Sequence, residues 1–311
     1  MKKYFMAVAI FVAVMTACGG GSTETKAPAS VQTGEAAKTD ETKAAEQKAE
    51  ETAAAETEAA KPAADESIEE QIIMDQDGIK VTAKSLDKSG MFGPAVKVLI
   101  ENESGKDVTV QARNASVNGY MTETMFSAEV QNGKKANEEL IFMNSGLKKA
   151  GIDTIADMEF NLHVFDPSTY QNIFDSDVIT LKTPAAETYE YTFDDSGEVA
   201  YEGNGIKVVI KGLDEEGVMG PGIVTYIENS GDKGITVQTR DVSINGFMVD
   251  PIFSADVLPG KHAISTITFM TSELEKNDIK EIQDVELSFH LFESANIMNN
   301  IADSDPVKIS F

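Results

Sequence analysis

One cysteine in 311 residues, Cys18, leaves the chain unable to close any internal disulfide. Tryptophan is absent, and arginine occurs only at Arg113 and Arg240, so nearly all of the 26 basic residues are lysines. Acidic residues number 52, for a formal net charge of −26. Such a chain repels phosphate backbones, which argues against a nucleic-acid partner. The charge also favours solubility and repulsion from anionic surfaces. The apolar run 4–15 is too short to cross a hydrocarbon core, which takes about 20 apolar residues. Motifs of catalysis are missing as well. No serine sits in a nucleophile elbow, and no glycine-rich loop is built to cradle phosphate. The expectation is a protein that is not an enzyme and carries no cofactor and no metal.

What is present begins at the N-terminus. Lys2 and Lys3 precede the apolar run, and Met15-Thr16-Ala17-Cys18 follows it. A positive start, a short apolar core and small residues before a cut site make a secretory signal. Met15-Thr16-Ala17-Cys18 resembles the lipobox of bacterial lipoproteins, with Met15 where leucine is usual. The resemblance implies lipidation of the Cys18 sulfur and cleavage before it. The mature protein is then held by its acyl chains at the outer face of a cell membrane, since two chains anchor stably where one is marginal. Lipidation also removes the reactive thiol that a lone extracellular cysteine would expose.

Residues 19–65 are glycine, serine, threonine, alanine, glutamate and lysine with almost no large apolar side chain. That composition cannot bury enough surface to offset chain entropy, so a disordered acidic tether is expected. The Ala/Glu/Lys-rich stretch 38–61 can form transient helix, but it lacks the apolar stripe of a docked helix or a coiled coil.

Beyond the tether the chain repeats itself. A shift of 127 residues places Gly78-Ile79-Lys80-Val81 on Gly205-Ile206-Lys207-Val208. The same shift places Ser116-Val117-Asn118-Gly119-Tyr120-Met121 on Ser243-Ile244-Asn245-Gly246-Phe247-Met248. Of the 57 positions 78–134, 28 match without a gap. A period this long marks a duplicated domain and not a solenoid unit. Alternating or β-branched runs at 79–86, 95–102, 108–117, 138–143, 158–165 and 178–182 read as strands. Asn118-Gly119 and Asn245-Gly246 read as tight hairpin turns. Short helical turns are expected at 145–150 and 272–277. The fold class is all-β: two tandem Ig-like antiparallel β-sandwich domains after a signal peptide and tether. The organisation is 1–17 signal peptide, 18–67 lipidated cysteine and linker, 68–183 first domain and 188–311 second domain. Residues 183–197 connect the two, and Tyr189-Glu190-Tyr191 is placed in the second domain's first strand.

The lipobox, the acidic spacer, the strand-Asn-Gly-aromatic-Met segment and the late Phe/Leu-rich strand resemble Gram-positive surface lipoproteins with tandem Ig-like domains of unknown function. The resemblance implies a fold and an address, not an activity.

Candidate site residues are few. Arg113 and Arg240 are repeat equivalents, in Val110-Gln111-Ala112-Arg113 and Val237-Gln238-Thr239-Arg240. A guanidinium suits bidentate recognition of a carboxylate or phosphate. The structural reading, an arginine paired with an acid of its own domain where a bulge re-aims the strand, outweighs it. His163 and His290 are also equivalent, with Phe160, Leu162 and Val164 expected in the core. Asp175-Ser176-Asp177 and Asp303-Ser304-Asp305 lack the frame of a calcium loop. Met121 and Met248, just after the turns, are the methionines placed for exposed contacts among several that fill gaps.

The function expected is that of a membrane-anchored extracellular binding or adaptor lipoprotein. It would engage an envelope or extracellular protein partner through its repeated domains. The rival expectation is a ligand-binding module for a carbohydrate, small anion or cation, favoured if Arg113 and Arg240 open into a cleft. A hydrolase would need two carboxyl groups about 5–9.5 Å apart in a cleft.

Overall fold

The computed structural model describes residues 65–311. The expected signal peptide, Cys18 and the expected spacer through residue 64 lie outside the described residues. In the first repeat the elements are β1 (Gln71–Gln76), β2 (Ile79–Asp87), β3 (Ala95–Asn102), β4 (Val108–Val117), β5 (Tyr120–Met121) and β6 (Thr124–Met125). They continue with β7 (Ser127–Val130), β8 (Lys134–Phe142), α1 (Asn144–Lys149), β9 (Asp157–Phe165), β10 (Asn172–Asp175) and β11 (Ile179–Lys182). The second repeat has β12 (Glu198–Gly203), β13 (Ile206–Asp214), β14 (Gly222–Asn229), β15 (Ile235–Ile244) and β16 (Phe247–Met248). Its remainder is β17 (Ser254–Val257), β18 (Lys261–Thr268), α2 (Thr271–Lys276), β19 (Asp284–Glu293), β20 (Asn296–Asp303) and β21 (Val307–Ser310).

Each repeat is a sandwich of two antiparallel sheets. In the first, β1-β2-β3-β8-β6 faces a sheet built on β10-β9-β4-β5, with β7 and β11 paired alongside. Alternation along the strands explains the layering, because successive side chains point to opposite faces. Met158, Phe160, Leu162 and Val164 of β9 are buried, as are Val81, Val98, Ile100 and Leu140 of the opposing sheet. Phe142 and Phe160 meet edge-on across the sandwich with ring centres 6.0 Å apart. Each such side chain, fully buried, contributes about 1.5–3 kcal/mol. The second repeat does the same with Val285, Leu287, Phe289 and Leu291 of β19.

Two asparagines per repeat fix the loops. Asn102 at the end of β3 donates to the carbonyls of Lys106 and Val130, both at 2.8 Å, and accepts from the Ser104 amide at 3.0 Å. Asn229 repeats this on Lys233, Val257 and Gly231. Asn118 and Gly119 both hold positive φ, 49° and 82°, as a type I′ hairpin turn demands. The Asn118 side chain also accepts from the Ala156 and Asp157 amides.

The helical turns α1 and α2 fall where the sequence places them. The strand predicted at 189–191 is absent. Residues 188–197 contain no strand, and β12 begins at Glu198, because Tyr191 and Phe193 turn inward to fill a gap between the repeats. The connector is nevertheless pinned along its length. Thr183 Oγ1 donates to the Ile155 carbonyl at 2.6 Å, and the Ala185 amide donates to the Asp65 carbonyl at 2.9 Å. The Tyr191 hydroxyl donates to the Ala150 carbonyl, and Lys211 Nζ grips Asp194 Oδ2 at 2.8 Å and the Ser196 carbonyl at 2.7 Å.

The repeats do not hang as separate beads. Strand β5 of the first pairs in parallel with β18 of the second, and the His262 amide donates to the Gly119 carbonyl at 2.9 Å. One sheet of each repeat thereby merges into a single ten-stranded sheet. Val209 and Tyr226 of the second repeat belong to the first repeat's core, and Met121 packs against the second core.

Candidate functional site

The hairpin β4-β5 is the wedge of this junction. Tyr120 is 2% exposed. It lies among Tyr191, Phe193, Tyr226 and His262, with ring centres 5.2–6.4 Å away. His262 stacks on Phe193 at 3.5 Å, and its Nδ1 hydrogen-bonds the Tyr226 hydroxyl at 2.7 Å. Ion pairs flank the aromatic cluster. Lys261 Nζ meets Glu159 Oε2 at 2.7 Å, and Lys149 Nζ meets Asp214 Oδ2 at 2.9 Å and Thr266 Oγ1 at 2.7 Å.

Burial pushes the Tyr120 and Tyr226 hydroxyls well above the usual phenol range. It pushes the His262 imidazole below its ordinary 6.5; the Glu228 carboxylate opposes this and the Lys261 ammonium reinforces it. The unfolded chain therefore binds a proton at His262 more readily than the folded one. This stabilising contribution is full above pH 6.5 and is lost as pH falls from there through the lowered folded value. Urea midpoints measured from about pH 7.5 down to about pH 5.5 are expected to fall more steeply for the native chain than for His262→Phe. Parallel curves would remove His262 from the account.

In the second repeat the same hairpin meets nothing. Phe247 is 49% exposed and Met248 65% exposed, with Ile252 also open to solvent. A Cβ on Gly119 would come within 3.2 Å of the Phe193 ring, whereas one on Gly246 would find open space. Two copies of one turn thus stand in opposite environments, one wedged and one bare.

The structure separates the other predicted residues from this surface. Arg113 and Arg240 are exposed and sit at bulges, where the register shifts between Arg113 and Ser116 and between Arg240 and Ser243. Asn114 and Asp241 take positive φ there. Arg240 Nη1 pairs with Asp303 Oδ1 at 3.3 Å, an acid of its own repeat. His290 Nδ1 lies 2.7 Å from the same oxygen, and Asn300 Nδ2 is 2.8 Å from the other. His163 Nδ1 and Asp175 Oδ1 match this at 2.6 Å. Hydrogen bonds from Asn300 and His290 hold the Asp303 carboxyl below the usual range, with the Arg240 charge adding to them. The Asp-Ser-Asp segments are therefore spent on strand closure, since Ser176 and Ser304 Oγ accept from the Leu162 and Phe289 amides. Met121 is half-buried in the junction. Met91, Met125 and Met219 are exposed, while Met143 and Met270 are half-buried.

A cleft of about 590 Å³ opens beside the junction, lined among others by Asn114, Met121, Glu123, Lys149, Asp256 and Ile264. Its size suits a small molecule, but no aromatic face lines it for a sugar, and Lys149 is already engaged by Asp214 and Thr266. Neither Arg113 nor Arg240 lines it. Among the described residues no group of three or more His, Cys, Asp or Glu is placed to hold a metal ion.

Sequence reasoning missed the partners of Tyr120, namely Tyr191, Phe193, Tyr226 and His262. The signal lay in the differences between the copies: Tyr226 stands against Leu99, His262 against Lys135 and Ile264 against Asn137.

No protein-family model matches the chain. No curated protein matches it either. Among solved structures it is similar to the YadV chaperone, at 11% identity over 69% of this chain and 92% of that one, with a TM-score of 0.24. It is also similar to a protein of unknown function from Porphyromonas gingivalis W83, at 12% identity over 70% and 91% of the two chains, with a TM-score of 0.19. Similarity at this level carries no argument about fold or function.

Proposed function

We propose that this protein is a lipid-anchored, extracytoplasmic binding lipoprotein of the Gram-positive surface type. In this reading it engages another protein through the bare hairpin of its second repeat. The observation that carries the reading is the contrast between Tyr120-Met121 and Phe247-Met248. The chemistry of this hairpin serves to dock on a β-domain in the first repeat, and in the second the same chemistry faces solvent. An exposed aromatic and methionine on a strand directly after a tight turn make a preorganised contact, with little ordering cost on binding. No reaction is assigned to the protein, and the Asp–His pairs serve the fold.

The anchor half of the proposal rests on Lys2, Lys3 and the segment ending at Cys18. Cells fed a labelled fatty acid are expected to label the native protein and retain it with the membrane. Cys18→Ser is expected to be unlabelled and released. Membrane retention of the unlabelled variant would sink this half. The binding half is tested by a photo-crosslinking phenylalanine analogue at position 247 in living cells, with one at exposed Glu216 as control. A discrete protein adduct at 247 and none at 216 is the expected result; no adduct at 247 would overturn it.

A further inference from the structure

The junction within the chain also describes what the bare hairpin fits. Under the 127-residue shift, every charged group that bridges the repeats has a counterpart of the same sign. Glu159 corresponds to Glu286 and its partner Lys261 to Lys134, while Lys149 corresponds to Lys276 and its partner Asp214 to Asp87. Strand β8, the counterpart of β18, pairs with β3 on one side. On its other side it meets β6 only at Ile141 and Phe142. From Lys134 to Leu140 it therefore offers the kind of free edge that β18 offers to β5. Along it Lys134, Lys135, Asn137 and Glu139 are exposed.

Resting on the reading that this hairpin is a docking element, we infer that its occupant is the first repeat of a second copy of this chain. The copies add head to tail by the same operation that joins the two repeats. The contacts follow by register. The Gly246 carbonyl meets the Lys135 amide, as Gly119 meets His262. Phe247 lies over Leu99 and the Lys135 stem, where Tyr120 lies over Tyr226 and His262. Glu286 pairs with Lys134 of the next copy. Lys276 pairs with Asp87 and also meets Glu139, which replaces the neutral Thr266. Charge complementarity is therefore kept, with Asp87 shared with Lys97 and Lys276 with Glu273 of its own repeat.

The joint is weaker than its internal template. The positions of Tyr191 and Phe193 correspond to Ala64 and Glu66, so the aromatic filling is missing. The net charge of −26 per copy also opposes association in bulk. Tethering to one membrane raises the local concentration without any new contact and offsets both. A head-to-tail contact of this kind is heterologous and does not require closure into a dimer.

The crosslinker at position 247 of the full chain in cells decides the matter. The expected adduct has twice the chain's mass, with the linked peptide in β3 or β8. Glu286→Lys is expected to lower its yield about tenfold, and adding Lys134→Glu to restore it, because the swapped pair re-forms between copies. An adduct with a different protein only would overturn this inference while leaving the proposed function standing. Absence of any adduct would overturn both. A self-adduct linked elsewhere, or one indifferent to Glu286→Lys, would also overturn the inference.

Discussion

Replacement of Tyr120 by alanine is expected to destabilise the protein by about 3–5 kcal/mol, the range for deleting a buried aromatic ring. The equivalent Phe247→Ala is expected to leave stability within about 0.5 kcal/mol. The two positions share sequence context, turn type and the antiparallel hairpin pairing, so propensity cancels in the comparison. What differs is that Tyr120 is enclosed by four rings and spans two cores, while half of Phe247 already faces water. Denaturant unfolding of both variants at low concentration measures the difference directly. Equal costs would mean that the first hairpin is not wedged between the repeats.

Loss of the Asn102 side chain is expected to be comparably severe. Asn102→Ala leaves the buried Val130 carbonyl and the Ser104 amide without this partner, while the Lys106 carbonyl keeps the Ser104 hydroxyl at 3.1 Å; each orphaned group costs about 1–3 kcal/mol. A loss of about 2 kcal/mol or more follows, and Asn229→Ala should cost at least as much, because it holds the equivalent three groups. Aspartate is the sharper probe, since it keeps the acceptor and loses both donors. If Asn102→Asp unfolds at the native denaturant midpoint, the bonds to Lys106 and Val130 do not hold the loop.

Much of the fold was legible because the code it uses is local. Period-two burial gave β2, β3, β4 and β9 their positions, and Asn-Gly gave the hairpins. Strand β1 was not legible. Apolar Ile72 faces solvent, only Met74 is buried, and a register shift interrupts its pairing with β2. Tyr189-Glu190-Tyr191 misled for the opposite reason. It has strand-like composition and alternation, but its aromatic side chains are claimed by a neighbouring repeat rather than by a sheet face. The candidate site was half legible. Met248 was singled out by its place after the turn, while Phe247, the larger contact, was read only as a repeat counterpart. The arginines drew attention through rarity, yet their chemistry is spent at a bulge, with Arg240 on Asp303 of its own repeat. Contacts between the repeats depend on where the two copies differ, and a search for what they share passes over those positions.

The pinned connector has a consequence for resistance to proteolysis. Residues 183–197 have the look of an inter-domain linker, the usual first site of proteolytic cleavage. A protease must draw several consecutive residues into an extended strand within its own cleft. Here Thr183, Ala185 and Tyr191 are held by Ile155, Asp65 and Ala150, and Lys211 holds both Asp194 and Ser196. Tyr191 and Phe193 can be released only by opening the aromatic cluster that joins the repeats. Cleavage at this point therefore reports the opening of the whole junction, and the segment that looks most vulnerable is shielded by it.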